Sequence, residues 1–259
     1  MAEDKLFKIV FGSVLGAFLV FLILIVASVL FYAGPLSLAS ALLSEEVAFA
    51  IRLSLVTATV ATFISLIVAV PTAYMMSRSK FFGRSLVDAM LNIPIVMSPV
   101  ALGAALLIFF GTPAGTYWRD LFVFQVPGII LAQFMVISAL AIRLMKNAFD
   151  GVDVRYENVS RTLGHNKFQT FFKVSLPLCK GSLASTAVLC WARAMGEFGA
   201  TVMLAGATRM KTETLAIAIS LSLASADVAK ASALIAILIM VAILTLAIAN
   251  KVSGKGVLV

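Results

Sequence analysis

The feature that most restricts this chain is a series of long stretches without a charged side chain. They cover residues 9 to about 33, 53–77, 89–111, 121–142, 181–208 and 231–250, and only the fifth is interrupted, by Arg193 and Glu197. A hydrocarbon core about 30 Å thick is crossed by roughly 20 apolar residues in a helix. Inside lipid the backbone satisfies its own polar groups only as a helix or a closed barrel. A barrel requires short segments of alternating polarity, and the sequence has none. Composition agrees: 62% of residues are hydrophobic and 12% charged, with mean hydropathy +1.09, where a soluble domain has about 45–50% and about 25%. The expected fold is an all-α polytopic membrane protein with six transmembrane helices. The first run continues uncharged to Ser44, well past the apolar region of about 7–15 residues in a cleaved signal. It reads as a retained first span.

Six spans place both termini on one side, and charge selects the side. With the N-terminus inside, the inner segments carry 14 Lys and Arg and the outer segments 5. Short-loop cations accumulate in the cytoplasm, so both termini and the segment between the fourth and fifth spans are expected there. This distribution also accounts for the net charge of +8 without a nucleic-acid partner. Cys179 and Cys190 have no metal-ligand spacing and read as small apolar packing residues. The lone His165 cannot complete a metal site. No cofactor is expected.

Two apolar segments do not read as simple spans. Residues 212–225, "TETLAIAISLSLAS", are too short to cross and are expected as a helix or re-entrant segment on the outer side. Residues 91–100, "LNIPIVMSPV", carry Pro94 and Pro99 around Ser98. Proline removes a backbone donor and breaks or kinks a helix, so the third span should bend or start irregularly there. Broken backbone at membrane depth is tolerated inside protein or along a water-filled path. The third span therefore either lines a pathway or simply enters its helix at a proline.

The polar segment between the fourth and fifth spans has local signals of its own. Asp153 can cap a short helix over residues 154–163, and Gly164 suits the left-handed stop that follows. A second short helix over residues 165–173 would carry Phe168, Phe171 and Phe172 on an apolar edge. Pro177 fits the first turn of the fifth span.

The spacing across this segment resembles the cytoplasmic signature of binding-protein-dependent ABC importer permeases, Glu-Ala-Ala, three residues, Gly, nine residues, Ile-x-Leu-Pro. Here Asn158-Val159-Ser160 and Gly164 are followed, after nine residues, by Val174-Ser175-Leu176-Pro177. Asn158 stands where the family usually has Glu, with Glu157 beside it. The resemblance implies a coupling helix seated in a groove of an ATPase subunit, with Glu157, Asn158, Arg161, Thr162, Leu163, Gly164, Phe168 and Pro177 as its residues. "VPTAYMMSRSKFFGR" (70–84) and "NIPIVMSPVALGAALLIFFG" (92–111) resemble other passages of the same family. "CWARAMGEFGATVMLAG" (190–206) is similar to the molybdate/tungstate and sulfate branch. Implied partners are a second copy of the chain, two ATPase subunits, an extracytoplasmic oxyanion-binding protein and membrane lipid. The implied organisation is an N-terminal helix and outer loop over 1–46, a permease core over 47–250 with its coupling loop at 150–177, and a cytoplasmic tail over 251–259. The implied location is the plasma membrane of a prokaryote.

Within the fifth span Arg193, Glu197 and Thr201 recur every fourth residue, one polar line on a continuous helix. Ala192, Gly196 and Ala200 make an adjacent small-residue line that admits a close neighbour. An ionised residue at the bilayer centre costs about 2.5–3.5 kcal/mol, so Arg193 and Glu197 are expected to pair inside the bundle. Two readings stay open, a structural pair and an anion path beside Arg193; near-neutralisation by Glu197 favours the first. No phosphate-binding Gly-x-x-x-x-Gly-Lys-[Ser/Thr] loop is present; "SGKG" at 253–256 lacks the following hydroxyl and the strand–helix context. The chain is therefore expected to be a non-catalytic subunit whose partner hydrolyses ATP. The competing readings are a sulfate permease of the same family, a self-sufficient secondary carrier, which lacks support because no second copy of any motif is found, and a membrane-embedded enzyme, for which no nucleophile–base motif is visible.

Overall fold

Residues 2–252 are described in this computed structural model, and every regular element among them is a helix. The tail from Ser253 onward lies outside the described residues. Helix α1 (Ala2–Leu43) is nearly all apolar and bends where Gly34 adopts φ +57° before Pro35. Helix α2 (Glu45–Arg78) starts with Glu45 and Glu46 and ends on Arg78, charges that complement the helix dipole. Its buried stripe is small, including Ala50, Ser54, Ala58, Ala61, Ser65, Ala69 and Ala73. Small side chains allow close backbone approach, and along this stripe α2 packs on α6 (Val126–Asp150).

Among the described residues, four helices are long and apolar enough to cross a bilayer: α1, α2, α6 and α13 (Val228–Val252). Two bent pairs bring the number to six if each is one span. The first joins α3 (Arg84–Val96) to α4 (Pro99–Gly111) through a 110° bend, which is the irregularity expected around Pro94 and Pro99. Its cause is local: Met97 and Ser98 are extended, Ser98 Oγ accepts from Ala101 N–H at 3.2 Å, and Pro99 opens α4.

The second pair differs from the sequence expectation. The fifth span was expected to start at Leu176–Pro177; instead the helical run over residues 167–178 breaks at Cys179 and turns by 71° into α10 (Lys180–Met195). The continuous helix expected through Thr201 also stops, at Met195. Gly196, Glu197 and Phe198 intervene before α11 (Gly199–Ala205). The fourth span begins later than residue 121. Helix α5 (Thr116–Phe122) ends, Phe124 takes φ +57° and donates its N–H to Leu204 O at 3.1 Å, and α6 starts at Val126. Residues 212–225 contain α12 (Leu215–Ala224), a short helix capped by Thr214 and held to α2 where Ser54 Oγ accepts from Leu215 N–H at 2.8 Å.

Candidate functional site

Two groups of residues stand apart from apolar packing. The first is the bracket between α6 and α10. Asp153 caps α7 (Val154–Thr162) by accepting from Arg155 N–H at 2.9 Å. After α7, Gly164 takes φ +91°, a conformation that glycine adopts without steric cost. Asn166 and Gln169 then form a reciprocal capping box that opens α8 (Lys167–Thr170), which continues into a π-helical turn, Phe171–Ser175, and the short α9 (Leu176–Leu178). The two-helix outline thus follows the sequence signals, although the second helix is shorter and partly π-wound.

Within the bracket the eight residues singled out from the sequence do not share one environment. Asn158, Arg161, Thr162, Leu163, Gly164, Phe168 and Pro177 are exposed, with Leu163 at 76% and Phe168 at 72%. Glu157 is buried and faces α2. Its Oε1 accepts from Arg78 Nε at 2.8 Å and Ser175 Oγ at 2.9 Å, and its Oε2 accepts from Tyr74 Oη at 3.1 Å. Arg78 Nη2 also donates to Val152 O at 2.8 Å. The Tyr74 ring stands edge-on to Phe149 and Phe171, with centroids 5.4 and 4.8 Å away. Phe171 therefore packs inward, away from the exposed edge on which Phe168 and Phe172 remain. Ser160, Thr170 and His165 close the bracket: Ser160 Oγ lies 3.1 Å from both Thr170 Oγ1 and His165 Nδ1. Tyr74, Arg78 and Ser175 carry this anchor and were not singled out beforehand, though Tyr74 and Arg78 lie within the quoted passage at 70–84.

The second group gathers at the broken spans. Arg193 Nη1 donates to Glu197 Oε2 at 2.7 Å, so the expected pair forms although the helix ends between its members. The other carboxylate oxygen accepts from Ala200 N–H at 2.9 Å and thereby caps α11. Gln133 of α6 donates through Nε2 to Ala194 O at 3.1 Å, a carbonyl near the end of α10 that also accepts from Glu197 N–H at 3.1 Å. The Glu197 side chain is 1% exposed and that of Arg193 40%. Thr201 is buried, and its hydroxyl has no hydrogen-bond partner among the described residues.

The two breaks are neighbours. A Cβ on Gly199, the first residue of α11, would lie 3.0 Å from Val100 Cγ2 and 3.2 Å from Pro99 Cβ at the start of α4. A Cβ on Gly103 would lie 2.6 Å from Ala200 O. The helices α4 and α11 thus touch backbone to backbone just beyond Ser98 and Glu197. Pro94 is half-buried in α3, on the other side of the bend. The two breaks, one foreseen and one not, form one irregular region with a half-exposed guanidinium on its flank. Gln133 and the contact glycines were legible only as an isolated amide and small residues in apolar runs.

Comparison with known proteins adds the following. Residues 61–254 match the family described as binding-protein-dependent transport system inner membrane component. A probable molybdenum ABC transporter permease protein of Haloferax volcanii is 38% identical over 197 residues, covering 73% of this chain and 71% of that protein. The molybdate/tungstate transport system permease protein WtpB of Pyrococcus abyssi is 36% identical over 196 residues, covering 74% and 76%. A chain in the crystal structure of a bacterial alginate ABC transporter, in complex with an alginate pentasaccharide-bound periplasmic protein, superposes with a TM-score of 0.80 at 16% identity. That alignment covers 98% of this chain and 97% of that one, and it speaks to the fold alone.

Proposed function

The chain belongs to the family of binding-protein-dependent transport system inner membrane components, and on that premise we propose that it is the translocating subunit of an ATP-driven importer for a tetrahedral oxyanion, molybdate or tungstate. The substrate class is supported by the relatives named for molybdenum, molybdate and tungstate. The observation that carries the coupling role is the bracket's division of labour. Glu157 ties it to the α2 span through Arg78, while Leu163 and Phe168 stay exposed beyond it. A partner ATPase that pushes on the exposed edge would move α2 with it, because the buried pair transmits the displacement.

In this reading two copies pair around a two-fold axis, two ATPase subunits sit under their brackets, and an extracytoplasmic binding protein delivers the oxyanion. Both termini are cytoplasmic, in the plasma membrane of a prokaryote. Pairing of copies is supported by Arg193: exposing a guanidinium to lipid costs about 2.5–3.5 kcal/mol, whereas an aqueous cavity between copies would hydrate it. ATP is hydrolysed by the partner, and this chain supplies alternating access.

The test is co-reconstitution of the chain with its ATPase and binding protein in vesicles. Molybdate uptake should require all three components and ATP, and excess sulfate should compete weakly. Uptake by the chain alone would replace this reading with a secondary carrier.

A further inference from the structure

The α2–α3 elbow has an unassigned surface. After Arg78 the chain runs Ser79, Lys80, Phe81, Phe82 and Gly83, and it turns at Gly83 with φ +80° into α3 at Arg84. Phe82 is fully exposed and Phe81 partly so, at 40%. The flanking Lys80 and Arg84 have no ion-pair partner among the described residues. Helix α3 continues the same chemistry. Leu86, Met90 and Ile93, at i, i+4 and i+7, are exposed on one side. Asp88 and Asn92 lie on another side, where they line a small cavity with Arg143 and Lys146 of α6.

Because α3 and α4 meet at a 110° bend, α3 runs near the membrane plane when α4 enters the bilayer along its normal. A helix in that plane with an apolar face outward, led by exposed aromatics between two cations, has the make-up of an interfacial anchor. Cations beside a membrane surface are drawn to anionic headgroups within a Debye length.

We propose that residues 80–84 and the apolar face of α3 form a clasp for anionic phospholipid in the cytoplasmic leaflet, with Lys80 and Arg84 holding the headgroup and Phe82, Leu86 and Met90 lying against the acyl chains. The inference rests on the orientation proposed above, which places the elbow inside. Lipid fits better than a soluble partner, because the phenylalanines run into an apolar helix face that acyl chains cover at no cost in desolvated polar groups. The clasp starts two residues beyond Arg78, whose guanidinium holds Glu157 and Val152 O. A bound headgroup would therefore steady the anchor of the bracket.

The experiment places the full-length permease, with its ATPase, in nanodiscs of phosphatidylcholine with or without phosphatidylglycerol. Native mass spectrometry reads the phosphatidylglycerol retained by the permease, and ATP hydrolysis is read in parallel. Wild type should retain phosphatidylglycerol, and Lys80→Gln/Arg84→Gln should lower its apparent affinity on the order of tenfold. In phosphatidylcholine alone the variant should assemble and hydrolyse ATP as wild type does. Phe82→Ser, which keeps both charges, should weaken retention less. Equal retention by wild type and the double variant would overturn the clasp. So would loss of dimer or ATPase assembly in phosphatidylcholine, which would make the elbow a protein interface. Retention does not depend on coupling or on which side faces the cytoplasm, since both leaflets of the disc are alike. Failure of the transport reading would leave it unchanged.

Discussion

Arg78 and Glu157 lie 79 positions apart in the chain and meet at 2.8 Å, with side-chain exposures of 14% and 9%. The last turn of a membrane-length helix is thereby locked to the first turn of the polar bracket. Removing one partner of a buried pair typically costs about 3–5 kcal/mol, whereas replacing both with apolar groups can be nearly neutral. Glu157→Leu should lower thermal stability in detergent, and Arg78→Met/Glu157→Leu should recover part of it. Hydrogen exchange at the α7 amides should rise in the single variant. Unchanged exchange there would mean that the aromatic contacts of Tyr74 and Phe171 hold the bracket without the pair.

Gly164 separates α7 from α8 at φ +91° with open space around it. Valine meets no neighbour there, but a β-branched residue is strained at this φ. Gly164→Val should insert and assemble normally while ATP hydrolysis stimulated by the binding protein falls several-fold, because Leu163 and Phe168 are re-aimed. Full uptake by this variant would remove the bracket from the coupling path.

The Arg193–Glu197 pair is asymmetric. Arg193→Leu leaves a carboxylate that is 1% exposed with only the Ala200 N–H, so it should cost about 3–5 kcal/mol. Glu197→Gln keeps an acceptor for Ala200 and leaves a guanidinium able to reach water, so it should cost about 1–2 kcal/mol. Thermal unfolding of both, with vesicle uptake, checks the order. If Arg193→Leu/Glu197→Leu is stable but transports nothing, and Arg193→Lys keeps partial uptake, Arg193 serves the anion and more than the fold.

Gly103 packs against the Ala200 backbone, where a Cβ would meet the carbonyl oxygen at 2.6 Å. Gly103→Ala should cost about 1–3 kcal/mol through forced separation of α4 and α11, read as a lower melting temperature. A neutral effect would show that the two helices slide apart freely at this contact.

Glu213 gives a pH signature. It lies before α12, buried, where its Oε2 accepts from Met210 N–H at 3.1 Å; burial chiefly, then the neighbouring Glu46 charge, raises its pKa above the usual 4.5. Lys230 and Arg209 face Glu46 at 2.6 and 3.6 Å. A raised folded pKa means that the native state binds the proton more tightly than the unfolded chain. The resulting stability is full below about pH 4.5 and is lost as pH climbs through the folded value. The difference in melting temperature between wild type and Glu213→Gln should therefore shift against wild type as pH rises from 4.5. A difference that stays flat with pH would show that Glu213 is already ionised when buried.

Much of this protein is legible in one dimension because its solvent is lipid. Without water to satisfy them, backbone groups must close their hydrogen bonds within each segment, so uncharged runs announce helices before any contact is known. Local chemistry is equally legible. Asp153 as cap, Gly164 as left-handed stop and the proline-flanked bend at Ser98 each depend on a few adjacent residues. Arg193 and Glu197, four apart, find each other across the end of α10.

Tertiary structure decided the rest. Nothing near Glu157 in sequence says that it turns inward while its seven companions remain exposed; that depends on Arg78 and Tyr74 arriving from α2. Nothing in the fourfold spacing of Arg193, Glu197 and Thr201 reveals that the helix stops at Met195. A helix can end within apolar sequence when distant groups take up its free carbonyls and amides. Here Gln133 of α6 adds a second hydrogen bond to Ala194 O beside that from Glu197 N–H, and the side chain of Glu197 accepts from Ala200 N–H. The packing of Gly103 and Gly199 then brings the two breaks side by side, because only residues without a Cβ let α4 and α11 approach so closely. Propensity acts along the chain and is readable there; which chain segments meet is decided by packing across it.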